Sequence, residues 1–124
     1  MPNIDVVRSA DLRAGDVTDG IVRGRAFEDD AAIVSRTRVA AGVRSAWHHH
    51  GSRLLYGFLA AGRFRLEYGP DGKEAVDLEP GDFFRIPAGL VHRDVNPDST
   101  QEVVVVSVVV GRGPAVVNVR VRGP

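Results

Sequence analysis

The chain has no cysteine, which excludes disulfides, thiolate nucleophiles and zinc-thiolate sites and is compatible with a reducing compartment. Any metal it binds must rest on nitrogen and oxygen. It also lacks net charge: sixteen basic and sixteen acidic side chains cancel, and no extended basic block stands out, so the electrostatic footprint of a nucleic-acid binder is missing. Long apolar runs are absent too. The longest, Val103 to Val110, is interrupted by Ser107 and falls far short of the ~20 residues a membrane helix needs. Met1 to Asp11 carries acids, Arg8 and no sustained apolar core, so it does not read as a secretory signal. The expectation is a soluble, cytoplasmic protein with no nucleic-acid or membrane partner.

A capped helical stretch of convincing length is also missing; strands and turns take its place. At 124 residues the chain holds one core, a single barrel or sandwich. Residues 1–19 read as an irregular lead-in with one edge strand near Ile4–Val7. Strands are expected at Ile21–Phe27, Ala32–Ala40, Ser45–His50 and Leu54–Leu59. Arg63–Tyr68 alternates with apolar residues at even numbers, the mark of a strand with one buried face. Glu74–Leu78, Phe83–Ile86 and Glu102–Val110 follow, and residues 114–124 form a tail with a last strand within Val116–Arg122. Turns rich in Gly, Pro and Asp separate these segments, so the fold class is all-β.

Within this frame, His48 and His50 are two residues apart in an extended segment, and residues i and i+2 point to one face of a strand. His92 follows the turn Pro87-Ala88-Gly89. Neutral imidazole is a common metal ligand, and three of them leave positions open for water or substrate. His49 has the opposite parity and is expected to face away.

These residues carry a resemblance. Gly42, His48, His50 and Gly62 fit the first cupin motif, G-x5-H-x-H-x3,4-E-x6-G, over residues 42–62, and Gly81, Pro87, Gly89, His92 and Asn96 fill the second, G-x5-P-x-G-x2-H-x3-N, over residues 81–96. The sequence therefore resembles the cupins, and the resemblance implies a single-domain double-stranded β-helix, or jelly roll, over residues 1–124 with His48, His50 and His92 as metal ligands. The acidic ligand position of the first motif falls on Leu55. The site then resembles three-histidine cupins, which include iron-dependent dioxygenases, rather than the manganese cupins that use the carboxylate. Nitrogen-only ligation favours Fe, Co, Ni, Cu or Zn over Mg or Ca, and the resemblance puts Fe(II) first, with Zn, Ni or Cu as alternatives. Glu67 and Asp82 stand as carboxylates from outside the motif that would complete the shell if water does not.

By parity with Leu55, Gly57 and Leu59 line an apolar pocket, joined by Tyr56 as a donor and by Phe84, with Phe83 and Arg85 as the other register. Such a pocket suits a small-molecule ligand with an apolar body and a chelating head. Arg36, Arg38 and Arg63 are weighed as anion holders against the blander reading of solvated exterior arginines. Val103–Val110 must lie mid-sheet or under a partner, since an exposed β-branched run invites aggregation, and a homodimer is expected. Three functions remain open: a mononuclear metalloenzyme of dioxygenase-like or Lewis-acid type, including a zinc cyclase or isomerase; a non-catalytic small-molecule sensor; and a metal-free structural protein. Fold does not choose among them.

Overall fold

A computed structural model describes residues 2–120. Eleven strands form two antiparallel sheets. In chain order they are β1 (Arg13–Ala14), β2 (Val22–Glu28), β3 (Ala32–Val39), β4 (His48–His49), β5 (Leu54–Ala61), β6 (Phe64–Tyr68), β7 (Glu74–Leu78), β8 (Phe83–Ile86), β9 (His92–Val95), β10 (Val103–Val110) and β11 (Val117–Asn118). One sheet runs β1-β2-β3-β10-β5-β8, the other β11-β4-β9-β6-β7. The jelly-roll expectation is met, and no helix among the described residues is long and apolar enough to cross a membrane.

The β-branched run becomes β10, in the middle of its sheet between β3 and β5. Its burial alternates: Val103, Val105, Ser107 and Val109 face the interior while Val106 is exposed. The same period sends Ile33, Val39, Leu55, Leu59, Phe64, Leu66, Leu78 and Ile86 into one core. Each fully buried aliphatic side chain, such as Leu59, stabilises the fold by about 1.5–3 kcal/mol. Gly62 turns β5 into β6 with φ of +86°, and a Cβ there would overlap the Glu102 carbonyl oxygen, so both the backbone sign and the space demand glycine.

The termini differ from expectation. Ile4–Val7 forms no strand: Ile4 and Val6 are exposed and find no sheet edge, and the lead-in instead makes a 3-10 turn at Ser9–Asp11 before the two-residue β1. Of the strand expected within Val116–Arg122, only Val117 and Asn118 pair among the described residues, with His49 and His48; residues 121–124 lie outside the described residues.

Candidate metal centre

His48 is the first residue of β4, His50 follows that strand directly, and His92 is the first residue of β9; β4 pairs with β9 so that His48 lies directly opposite His92. The three rings meet at the barrel interior, their centroids 4.4, 5.1 and 5.6 Å apart. One nitrogen from each lies within 4.8 Å of the others. All three side chains are buried.

Hydrogen bonding fixes the tautomers. Each Nδ1 lies 2.9 Å from a backbone carbonyl: Ala46 for His48, Ala115 for His50 and Leu90 for His92. A carbonyl only accepts, so each Nδ1 carries the proton and each Nε2 presents a bare lone pair. His50 Nε2 is buried with no hydrogen-bond partner among the described residues. Burial pushes the His48 imidazole down to about 3 and that of His92 down to about 4, and lowers His50 as well. Three neutral imidazoles with converging lone pairs and Nδ1–H groups anchored on backbone carbonyls form a donor set that suits a metal ion. The residues fit a metal ion. His49 instead accepts a hydrogen bond at Nδ1 from Gly51 N–H and leaves the cluster, as parity required.

Neither outlying carboxylate reaches the site. Glu67 sits on the other face of β6, its oxygens held by Arg93 Nε at 2.7 Å and Arg65 Nε at 3.2 Å. Arg93 in turn stacks over Trp47, 4.5 Å from the ring centroid. Asp82 caps its own turn by accepting from Glu79 N–H at 2.8 Å. The carboxylate that does face the histidines is one the sequence reading passed over. Asp94 Oδ1 lies 3.8 Å from His48 Nε2 and 3.9 Å from His92 Nε2. Ser45 pins its backbone, Asp94 N–H donating to Ser45 Oγ at 2.9 Å and Ser45 N–H donating to Asp94 O at 2.8 Å. Burial raises the Asp94 carboxyl, against the pull of His92, Arg23 and His50. Its signal was present: His92-Arg93-Asp94 repeats the i, i+2 spacing of His48-His49-His50.

A cavity of about 30 Å³ lies at the cluster, room for an ion and about one water, and Arg23, Thr37 and Asp94 face it alongside the histidines. Leu55 and Phe84 line its apolar side as expected. Leu59 shares their face but is fully buried in the core beyond the cavity. Gly57 shapes the wall indirectly, since a Cβ there would overlap the Phe84 ring. Tyr56, expected as a donor in the pocket, faces away from it: its parity is opposite to Leu55, it is 46% exposed, and it lines neither this cavity nor the larger one beside it. The register turns Phe84 and Ile86 inward and leaves Phe83 and Arg85 exposed, Arg85 bordering a second cavity. Arg36 and Arg38 are also external, bonded to Ser9 and paired with Glu102.

A second cavity of about 380 Å³ opens beside the first and shares Leu66, Phe84, Ile86 and His92 with it. Val76, Pro87 and Leu90 extend its wall, with Tyr68 and Arg85 as its polar elements. The site is thus a small chamber of mixed polar and apolar lining beside a larger, mainly apolar vestibule.

The cupin-domain family profile matches residues 35–109, which include all four histidines. No curated protein matches the sequence. Among solved structures, the chain is similar to the polyketide cyclase RemF from Streptomyces resistomycificus, with a TM-score of 0.77 and 20% identity over 96% of this chain and 87% of that one. A protein with a double-stranded β-helix domain from Klebsiella pneumoniae gives 0.74 at 19% identity, covering 94% and 99%. KdgF from Halomonas sp. gives 0.67 at 22%, covering 89% and 96%. At these identities the likeness shows the fold.

Proposed function

The chain belongs to the cupin family, and from that premise we propose that it is a mononuclear metal-dependent protein acting on a small organic molecule with a chelating head and an apolar body. The observation that carries this reading is the convergence of three Nε2 lone pairs whose Nδ1–H groups are all tied to backbone carbonyls. His48, His50 and His92 would hold the ion, with Fe(II) first and Zn, Ni or Cu as the other ions suited to imidazole. Bound there, the ion supplies Lewis acidity or, as iron, a centre for O₂ activation.

The chain's own residues supply the rest. Leu55, Phe84 and Ile86 wall the chamber with apolar surface and limit water around the head group. The vestibule takes the apolar body, as binding cavities of this size and lining do. Asp94 offers a carboxylate oxygen that accepts no hydrogen bond among the described residues and lies beside two Nε2 atoms, so it is placed to hold a proton of a bound head group. Oxygenation and metal-assisted ring closure or isomerisation both use these parts. The cyclase named among the similar structures makes the second reaction class one to screen, and the apolar vestibule favours substrates of that shape.

Elemental analysis of untagged protein tests the reading. About one equivalent of iron, zinc, nickel or copper in the wild type, lost in His48→Ala and His92→Ala, supports it. Protein that stays metal-free after reconstitution with each ion overturns it. Oxygen uptake or product formation then separates an enzyme from a binding module, which would show ligand-induced melting shifts without turnover. A homodimer belongs to the same reading, because Phe83 is 80% exposed beside Phe58 on a sheet face that also exposes Tyr56 and Val106. Sedimentation as a ~13 kDa species alone would sink that part.

A further inference from the structure

Arg23 is a cation inside the barrel that no expectation placed there. On β2 it stands opposite Thr37 of β3, and both side chains line the histidine chamber. Its neighbours on the strand show how it arrives: Ile21 is buried, Val22 is 68% exposed, and Arg23 returns to the inner face. A guanidinium taken out of water needs partners. Arg23 has few. Its NH1 donates to Thr18 Oγ1 at 2.8 Å and to the Asp16 carbonyl at 3.1 Å, while Nε and NH2 make no hydrogen bond and no ion pair among the described residues. Both acceptors it has are neutral. Asp94 and Asp16 both attract it, but neither forms an ion pair with it among the described residues, and Asp16 pairs with Arg25 instead.

The contacts hold the group rather than neutralise it. Thr18 is itself buried, and its hydroxyl donates to Asn118 Oδ1 at 2.7 Å. Asn118 is the register partner of His48 and also donates through Nδ2 to the Val17 carbonyl at 2.7 Å. One chain of hydrogen bonds thus ties the Arg23 head to the strand that pairs with a metal-ligating histidine. The result is a fixed, desolvated positive charge with donors to spare, and a planar fork of that kind matches a carboxylate.

We infer that Arg23 is the ligand-reading residue of this site: it takes the carboxylate of a small organic acid in the chamber, while the acid's apolar remainder occupies the vestibule beside Phe84 and Leu90. The inference rests on the functional reading above for the location of the ligand, yet it makes a separate claim, since the charge it uses belongs to the chain and not to an ion. The single carboxylate facing the chamber, Asp94, faces the histidines. An anion on Arg23 therefore meets a cation on one side and, in the loaded protein, a second on the other. Uncharged molecules of the same shape fill the vestibule equally well and leave Arg23 unpaired, which is the more costly outcome in a site built for a charge.

The test compares 3-phenylpropanoate with 3-phenylpropanamide, which have closely similar shape and differ in charge, by calorimetric titration of zinc-loaded and chelator-treated protein. Wild type should bind the acid at least about tenfold more tightly than the amide in both forms, the size of one charge-assisted hydrogen bond. Arg23→Gln should lose that preference in the chelator-treated form and reduce it in the loaded form, while retaining about one equivalent of zinc. Arg23→Lys, which keeps the charge without the fork, should recover part of it. Near-ultraviolet circular dichroism checks that each variant is folded, and Arg23→Lys carries the test if Arg23→Gln is not. No preference in the wild type, or a preference unchanged by both variants, overturns the inference. Loss of zinc from wild type with the Arg23-dependent preference intact would instead count against the metal reading alone.

Discussion

His48 and His92 are direct cross-strand partners, β4 against β9, with ring centroids 4.4 Å apart. Residues opposed in an antiparallel pair are the closest side chains a sheet can bring together, so the sheet itself assembles two-thirds of the ligand set before any loop contributes. His49, between two ligands, is turned away and holds Gly51 N–H. Its replacement separates histidine count from geometry. His49→Ala should keep the metal content of the wild type and Glu67→Gln should do the same, whereas His50→Ala should lose metal. Loss of metal in His49→Ala comparable to that in His50→Ala would mean that the cluster is not the site.

The buried imidazoles also set a pH dependence for the metal-free protein. Their values in the fold, about 3 for His48 and about 4 for His92, lie below the ordinary 6.5, and His50 moves the same way. Between those limits the unfolded chain binds more protons than the folded one, so stability rises with pH through this window and levels off above 6.5, by at most about 1.4 kcal/mol per unit for each group. Asp94 works in the opposite sense, because its raised carboxyl favours folding only toward low pH. Three histidines against one carboxylate leave the slope positive. The urea midpoint of chelator-treated protein should fall between about pH 7 and about pH 5 and stay level from about pH 7 to about pH 8. A midpoint that rises on acidification contradicts the assignment of neutral histidines.

Asn96 ends the second motif and is 1% exposed. Its Nδ2 donates to the Val39 carbonyl at 3.0 Å and the Gln101 carbonyl at 2.8 Å, and its Oδ1 accepts from Asp98 N–H at 3.0 Å. It joins the end of β3 to the loop entering β10, away from the metal cluster. Asn96→Ala strands buried polar groups and should destabilise the fold by about 2–4 kcal/mol by denaturant titration, with the metal equivalent per folded chain unchanged. A variant of full stability but depleted in metal would assign Asn96 to the site instead.

Much of this arrangement is legible in the residues. Alternation locates β6 and, imperfectly, β3, apolar runs between turns locate β5 and β8, and the nearly continuous β-branched run of β10 announces its central place, because period and burial are local properties. The histidine triad follows from i, i+2 parity and the turn before His92. What stays hidden depends on register. Val22 and Arg23 are the clearest case: hydropathy selects the valine for the interior, whereas the pairing of β2 with β3 puts the arginine there. β9 is hidden for a related reason, as Arg93 and Asp94 look like loop residues until β6 pairs with them. Ile4–Val7 errs the other way, with apolar alternation that finds no neighbouring strand.

Gly57 and Phe84 give the most specific packing prediction. They are register partners across β5 and β8, and an added Cβ at Gly57 would overlap Phe84 Cζ. The ring therefore lies across the glycine, as aromatic side chains cover strand glycines elsewhere, and it reaches Phe64 at a centroid distance of 5.9 Å. From that position it borders both the chamber and the vestibule. Gly57 has no positive φ, so alanine meets a steric obstacle and no backbone one. Gly57→Ala should cost about 1–3 kcal/mol of stability by overpacking, displace the ring, and weaken binding of 3-phenylpropanoate while metal content holds. Phe84→Leu in the same chain removes the overlapping atoms, so the double variant should be more stable than the sum of the two single changes. Additive costs would show that the ring is free to swing aside, and that Gly57 does not set the shape of the wall between the two cavities.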